Sequence, residues 1–142
     1  MDAKEYLGQA YRIDRRINSK LNQIAVLRDL ATKVTATLGG EPVSGTRNPQ
    51  RLQFIIDKIM DFETEINADV DSLVDARKSV SEIIGQVSGA DCQLVLEYRY
   101  LGFMAWDAIA ESMGFSPRWV YALHGRALKN VRKILQNRKA CS

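Results

Sequence analysis

The end of the chain concentrates side chains that bind phosphate. From Ser116 to Ser142 there are seven Lys and Arg residues and no Asp or Glu. On one helix, such a run attracts polyanions, because no neighbouring carboxylate offsets the positive charge. A charge run is often only a solvated helix face, so its meaning depends on the elements that position it.

The residues around this basic run have the spacing of a helix-turn-helix. An apolar stripe with spacing i, i+3, i+4 and i+7 predicts a helix over 103–113. Gly114 then suits a left-handed turn. Ser116 and Pro117 are a typical N-cap and first helical residue, so the last helix should begin there. Its predicted buried side is Val120, Leu123, Ala127, Leu128, Val131 and Leu135.

A further helix is expected ahead of this pair. Gly89 marks a break, Asp91 is the predicted N-cap, and Gly102 should end the helix near Leu101. These two short helices would support the basic one.

In a helix-turn-helix, exposed side chains at the start of the last helix reach base edges in the major groove of DNA. The residues predicted to contact bases are Arg118, Trp119, Tyr121 and Ala122. Arg118 is expected to read guanine, whereas Trp119 could instead pack against the preceding helix or the hairpin. The residues predicted to contact phosphate are Ser116, at the helix N-terminus, and His124, Arg126, Lys129, Arg132 and Lys133.

The first two thirds of the chain predict two long helices that fold back on each other. Apolar residues at alternating steps of three and four run from Tyr6 to Leu38 and again from Leu52 to Val87. A Gly- and Pro-containing break at 39–47 separates the arms, and Asn48 with Pro49 should cap the second. We therefore expect an antiparallel αα-hairpin over 1–88 and a helix-turn-helix domain over 89–142, within an all-α fold.

Lys20 and Asp69 each interrupt one of these apolar series. If the hairpin folds about the centre of its loop, the two lie within about one layer of each other and should pair, which would fix the register. Alternatively, each side chain reaches water at the rim.

The hairpin has two possible roles, as a rigid spacer or as an oligomerisation element, for which a dimer is favoured. Six apolar residues widen its apolar face beyond the seam and indicate a further buried surface, against the C-terminal domain or a second subunit: Val26, Leu30, Ile56, Met60, Val70 and Val74.

Composition and charge distribution limit the classes of function that the chain can have. Residues 1–88 hold 12 Lys and Arg against 13 Asp and Glu, whereas residues 89–142 hold 8 against 4, so the positive charge lies in the C-terminal part. Cys92, Cys141 and the single His have no metal-ligand spacing, so we expect no metal, no cofactor and no enzymatic activity. With no apolar run long enough for a membrane and no signal core, we expect a cytoplasmic protein.

The segment EYRYLGFMAWDAIAESMGFSPRWVYALHGRALKNVRKIL resembles the fourth domain of bacterial sigma factors, which recognises the promoter −35 element. The whole chain, including the opening AKEYLGQAYRIDRRINSKLNQIAVLRDLATKVTATL, also resembles small sigma-like prophage proteins related to the ArpU and RinA late-gene regulators. Two departures matter. The chain has a hairpin in place of the −10 binding domain, and Tyr121 and Ala122 occupy positions where sigma factors usually carry Arg and Gln, so the −35 preference is not carried over.

The resemblance implies a sequence-specific DNA-binding regulator of phage or prophage late genes, which acts on double-stranded DNA and could also contact host RNA polymerase. One alternative is a DNA-packaging adaptor of the small-terminase kind, although those usually place the DNA-binding module first and form rings. Another is a protein-only adaptor that docks on the polymerase.

Overall fold

A computed structural model describes residues 2–38 and 47–141, with side chains described for 2–36 and 49–140. Within these ranges there are helices and no strand, which confirms the all-α prediction. In chain order the elements are α1 (Ala3–Leu7), α2 (Gln9–Leu38), α3 (Arg47–Gly85), α4 (Ala90–Leu96), a π-helical turn (Glu97–Leu101), α5 (Trp106–Met113) and α6 (Pro117–Cys141). No helix in the described ranges is both long enough and apolar enough to cross a membrane.

The two long arms of the prediction are present as α2 and α3. The first arm is interrupted at Gly8, so that a short α1 precedes α2. The second begins at Arg47, ahead of the expected cap at Asn48, and ends at Gly85 as predicted. The break between them, at 39–46, lies outside the described residues.

The chain divides into two compact units: Met1–Ile13 with Leu73–Ser142, and Asp14–Ser72. The second unit is an antiparallel pair made from the facing parts of α2 and α3. Ile17, Ile24 and Ile55 are buried along its seam, as the heptad spacing predicts.

Lys20 and Asp69 pair across this seam. The Nζ atom of Lys20 lies 2.6 Å from Oδ2 of Asp69, and both side chains are about 15 % exposed (15 % and 14 %). Glu65 lies further away, at 3.8 Å from the same Nζ. The predicted pairing of the two seam interruptions is therefore confirmed.

The predicted domain boundary at residue 88 does not coincide with the boundary between the compact units. The end of α3 belongs to the unit that contains α4, α5 and α6, and so does the N-terminus of the chain. The physical reason is a shared core, because apolar side chains from α1 and from the end of α3 pack with the second half of α6. Its buried members are Ala3, Leu7, Val80, Ile83, Ile84, Val87, Leu96, Tyr100, Ala127, Leu128 and Val131.

A second, smaller core holds the helix-turn-helix together. It joins α4, α5 and the first half of α6 through Val95, Ile109, Ala110, Val120 and Leu123. One helix, α6, thus contributes its apolar side to both cores of this unit. Because both cores lie on the same side of α6, the opposite side of the helix faces outward.

The turn that leads into α5 was not predicted. Phe103 adopts a φ of 57°, which is costly for a residue with a side chain, by roughly 1–3 kcal/mol. Its ring makes an edge-to-face contact with Tyr11 and lies 5.6 Å below the guanidinium of Arg77. Arg77 also donates a hydrogen bond to the carbonyl of Leu101 at 3.0 Å. As a result α5 begins at Trp106 rather than at Phe103.

Candidate nucleic-acid interface

The predicted helix-turn-helix is formed by α5, the turn at Gly114 and α6. Gly114 has a φ of 70°, the left-handed conformation that glycine adopts without cost. Ser116 caps α6, since its Oγ accepts a hydrogen bond from the backbone N–H of Trp119 at 3.2 Å. Pro117 is the first residue of the helix. The turn at Gly114 and the cap at Ser116 that the sequence predicts are present. The predicted N-cap at Asp91 is wrong, because α4 begins at Ala90 with Gly89 as its N-cap and Asp91 lies inside its first turn.

The outer side of α6 carries most of the residues that were predicted to contact DNA. Arg118 and Ala122 are exposed near the start of the helix, and Gly125 follows them on the same side. The cations predicted to contact phosphate are exposed further along, namely Arg126, Lys129, Arg132 and Lys133. From Ser116 onward the chain contains no acidic residue, so every charged side chain that α6 itself contributes to this side is a cation. We call it the α6 outer face.

Arg132 and Lys133 differ in their surroundings. Arg132 borders a shallow cavity of about 260 Å³ that Asp2, Gln136 and Lys139 also line. Lys133 is exposed without bordering that cavity. A carboxylate near Arg132 reduces the local positive potential, so Lys133 is the stronger candidate for a phosphate contact.

Trp119 lies along the surface of α6 itself. Its side chain is 39 % exposed, and the guanidinium of Arg126, two helical turns later, lies 5.0 Å from the centre of its ring. A cation above an indole ring is favourable and holds both groups in place. The indole therefore adds an apolar, π-rich edge to the α6 outer face.

The ring of Tyr121 packs against an aromatic residue of α5. Its ring centroid lies 5.1 Å from that of Trp106, and the Arg99 guanidinium lies 4.6 Å from the Trp106 ring centroid. Tyr121 is nevertheless 52 % exposed. This tilted ring contact restricts the motion of the Tyr121 side chain, which leaves the phenol on the surface in a defined position.

His124 is not on the outer face, so the predicted phosphate contact of this residue is wrong. It is only 7 % exposed, and its Nε2 lies 2.7 Å from the hydroxyl oxygen of Tyr100. The Trp106 ring packs against the imidazole at 4.6 Å, edge to face. Burial, together with the positive charges of Lys4 and Arg99, lowers the pKa of His124 from 6.5 to about 4.

Burial also determines the protonation of its partner, since it raises the pKa of Tyr100 to about 12. Both groups are therefore neutral near pH 7. The sequence contains a signal for this burial, because Val120, His124, Ala127 and Val131 have the i, i+4, i+7 and i+11 spacing of one buried helix side.

Other parts of the described structure are weaker candidates for a functional site. A groove of about 740 Å³ lies on the 14–72 unit between α2 and α3, and its lining includes Arg15, Asn22, Val26, Phe54 and Lys58. In the part of the chain that the structure describes, no group of three His, Cys, Asp or Glu side chains is placed to hold a metal ion. The Cys92 thiol is half-buried beside the Leu123 carbonyl, at 3.7 Å, and desolvation raises its pKa.

Comparisons with protein-family models, with curated proteins and with solved structures gave no match to this chain. The resemblance to sigma-like prophage regulators therefore remains a prediction from the amino-acid sequence.

Proposed function

We propose that the chain is a DNA-binding transcriptional regulator that places the start of α6 in the major groove. The observation that carries the proposal is the α6 outer face, to which the helix contributes exposed cations and no carboxylate and which the helix-turn-helix holds outward. A phosphate backbone is the ligand that such a surface suits best, because each contact releases a condensed counterion.

The small residues of this face support the same geometry. Ala122 and Gly125 occupy its middle, and nothing lies within 4 Å of the position that a side chain at Gly125 would take. A glycine inside a helix costs about 1 kcal/mol relative to alanine, and no internal contact requires it here. We infer that Gly125 allows the backbone of α6 to approach the floor of a DNA groove closely.

The contacts divide into those that read sequence and those that position the helix. Arg118 lies at the exposed first turn, where a guanidinium can make two hydrogen bonds to a guanine edge. Tyr121 and Trp119 add apolar surface that fits a thymine methyl group. Arg126, Lys129 and Lys133 lie further along and are assigned to phosphates, together with Arg132 and the Ser116 cap.

The context of this function follows from the sequence resemblance. It favours late-gene control in a phage or prophage, in the cytoplasm of a bacterial host, with RNA polymerase as a second partner. We propose no catalytic step, since the α6 outer face combines cations and aromatic rings without an acid pair or nucleophile.

The test is selection of bound fragments. Purified full-length chain would be incubated at about 50 mM salt with sheared DNA of the genome that encodes it, and the retained fragments sequenced. We expect one or a few sites to be enriched, with the logarithm of affinity falling against that of salt by about 0.9 per contacted phosphate. Retention of no fragment, or of all fragments equally, would contradict a sequence-specific regulator.

A further inference from the structure

A second apolar stripe runs along α3, on a side that the hairpin seam does not use. Ile56, Met60 and Val70 are between 40 % and 59 % exposed. With Glu63 and Asn67 between them, they follow steps of four, three, four and three residues, the spacing of a helix that packs against another helix. We call these five residues the second stripe. In the sequence, Val74 continues the same spacing.

The polarity of the second stripe is symmetric about residue 65. Its centre is polar, at Glu63 and Asn67, and it is flanked by Met60 on one side and Val70 on the other. An interface with a twofold axis needs this property, since residue i meets residue j and residue j meets residue i. Two antiparallel copies of α3 that cross at residue 65 would place each Met60 against Val70 of the second copy.

The same crossing provides hydrogen-bond partners for Glu63 and Asn67, the two polar residues at the centre of the stripe. Glu63 would face Asn67 of the second copy, whose side-chain amide can donate a hydrogen bond to the carboxylate, and the contact would occur twice. Within one chain, Nη2 of Arg28 lies 3.3 Å from Oε1 of Glu63, which holds that carboxylate on this side of the hairpin. An entirely apolar partner would desolvate the Asn67 amide without a hydrogen bond, at a cost of about 1–3 kcal/mol, and would leave Arg28 as the only hydrogen-bond donor to Glu63.

We propose that the second stripe is the interface of a symmetric dimer of this chain. From Ile56 to Val70 it extends roughly 21 Å at 1.5 Å per residue. Leu21, which is 49 % exposed, precedes Arg28 by two helical turns on α2 and therefore widens the same side. Stable interfaces bury about 1,200–2,000 Å² in total. One helix with a flanking leucine lies at the low end of that range, so the dimer should dissociate on dilution.

The test is sedimentation equilibrium of the full-length chain without DNA, so that its outcome does not depend on the DNA-binding proposal. We expect a mass of twice 16.0 kDa at high concentration and of 16.0 kDa on dilution. Met60→Glu or Val70→Lys alone should leave monomer, because each places charges against an apolar residue. An equimolar mixture of the two variants should restore the dimer, since one Met60–Val70 contact remains and the other becomes an ion pair.

The matched control is Val26→Glu, at a 61 % exposed valine of the large groove on the other flank of the hairpin. This variant should remain dimeric. Circular dichroism would confirm that every variant keeps its helix content, as expected for exposed positions. The proposal is overturned if the wild-type chain is monomeric at every concentration or forms a ring. It also fails if Met60→Glu stays dimeric, or if mixing the two variants restores nothing.

Discussion

The hydroxyl oxygen of Tyr100 and Nε2 of His124 lie 2.7 Å apart in the interior of the helix-turn-helix unit, and this hydrogen bond links the π-helical turn to α6. The imidazole is therefore part of the core, although His124 lies on α6, the helix that we propose binds DNA. Its protonation would leave a buried positive charge near Lys4 and Arg99.

Stability should therefore fall in mild acid. The pKa of His124 is about 4 in the folded chain, below its ordinary value of 6.5, so between these values the unfolded chain binds a proton that the folded chain does not. This residue should contribute a loss of about 3 kcal/mol in the free energy of unfolding between pH 6.5 and 4, with no change above pH 6.5. Denaturant unfolding of wild type and His124→Phe across that range measures it, and matching pH profiles for the two would contradict the assignment.

The Lys20–Asp69 pair should respond differently to single and double substitution. Lys20→Leu leaves a largely buried Asp69 without its partner and should cost about 3 kcal/mol, as should Asp69→Leu. The double variant replaces the pair with apolar packing, so its stability should be close to that of wild type. Unfolding of all four proteins gives the coupling energy. Additive effects would show that the 2.6 Å contact is not energetically coupled.

If the pair also fixes the register, Lys20→Leu should change more than stability. Disulfide trapping between cysteines introduced into the two arms would then report alternative registers, or the oligomeric mass would change. An unchanged register and an unchanged mass would restrict the role of the pair to stability.

Side chains introduced at Gly125 should affect the stability of the folded chain and its affinity for DNA differently. In open space on a helix, Gly125→Ala should stabilise the folded chain by about 1 kcal/mol. Gly125→Leu should also fold, yet it should weaken DNA binding about tenfold or more, because the side chain holds α6 away from the groove floor. Ala36→Leu, an exposed alanine of α2, is the matched control and should leave affinity unchanged. Full affinity in Gly125→Leu would mean that this part of α6 does not approach DNA closely.

Arg118 and Lys129 should affect binding in different ways. Arg118→Lys keeps the charge but loses the paired hydrogen bonds to guanine, so it should relax the choice at one base pair by about 1–3 kcal/mol. Lys129→Gln should weaken all sequences alike and reduce the salt slope by about 0.9. Binding to a library of randomised sites separates the two effects. An intact sequence profile in Arg118→Lys would remove Arg118 from the base contacts.

Local patterns were sufficient to predict the hairpin, its Lys20–Asp69 pair and the Ser116 cap. The pair follows from two regular apolar series joined by one turn, and the cap follows from adjacent residues. Contacts that depend on irregular turns or on packing between elements that are not joined by one turn were not predictable in this way. His124 was assigned to the surface because its partner, Tyr100, lies 24 residues earlier, in a π-helical turn. The Phe103 turn depends on Tyr11 and Arg77, and the unit boundary depends on α1 packing against α6.

The most direct test compares two variants of equal charge in equilibrium binding to a selected DNA fragment at about 50 mM salt. One carries Arg126→Gln, Lys129→Gln and Lys133→Gln on the α6 outer face, and the other carries Arg16→Gln, Arg51→Gln and Lys78→Gln on α2 and α3. Each lowers the formal net charge of +3 by three. At roughly 1 kcal/mol per lost contact, the first should bind about a hundredfold more weakly than wild type, and the second should bind as wild type does. Equal affinities of the two variants, or no binding by the wild-type chain, would contradict the assignment of DNA to α6.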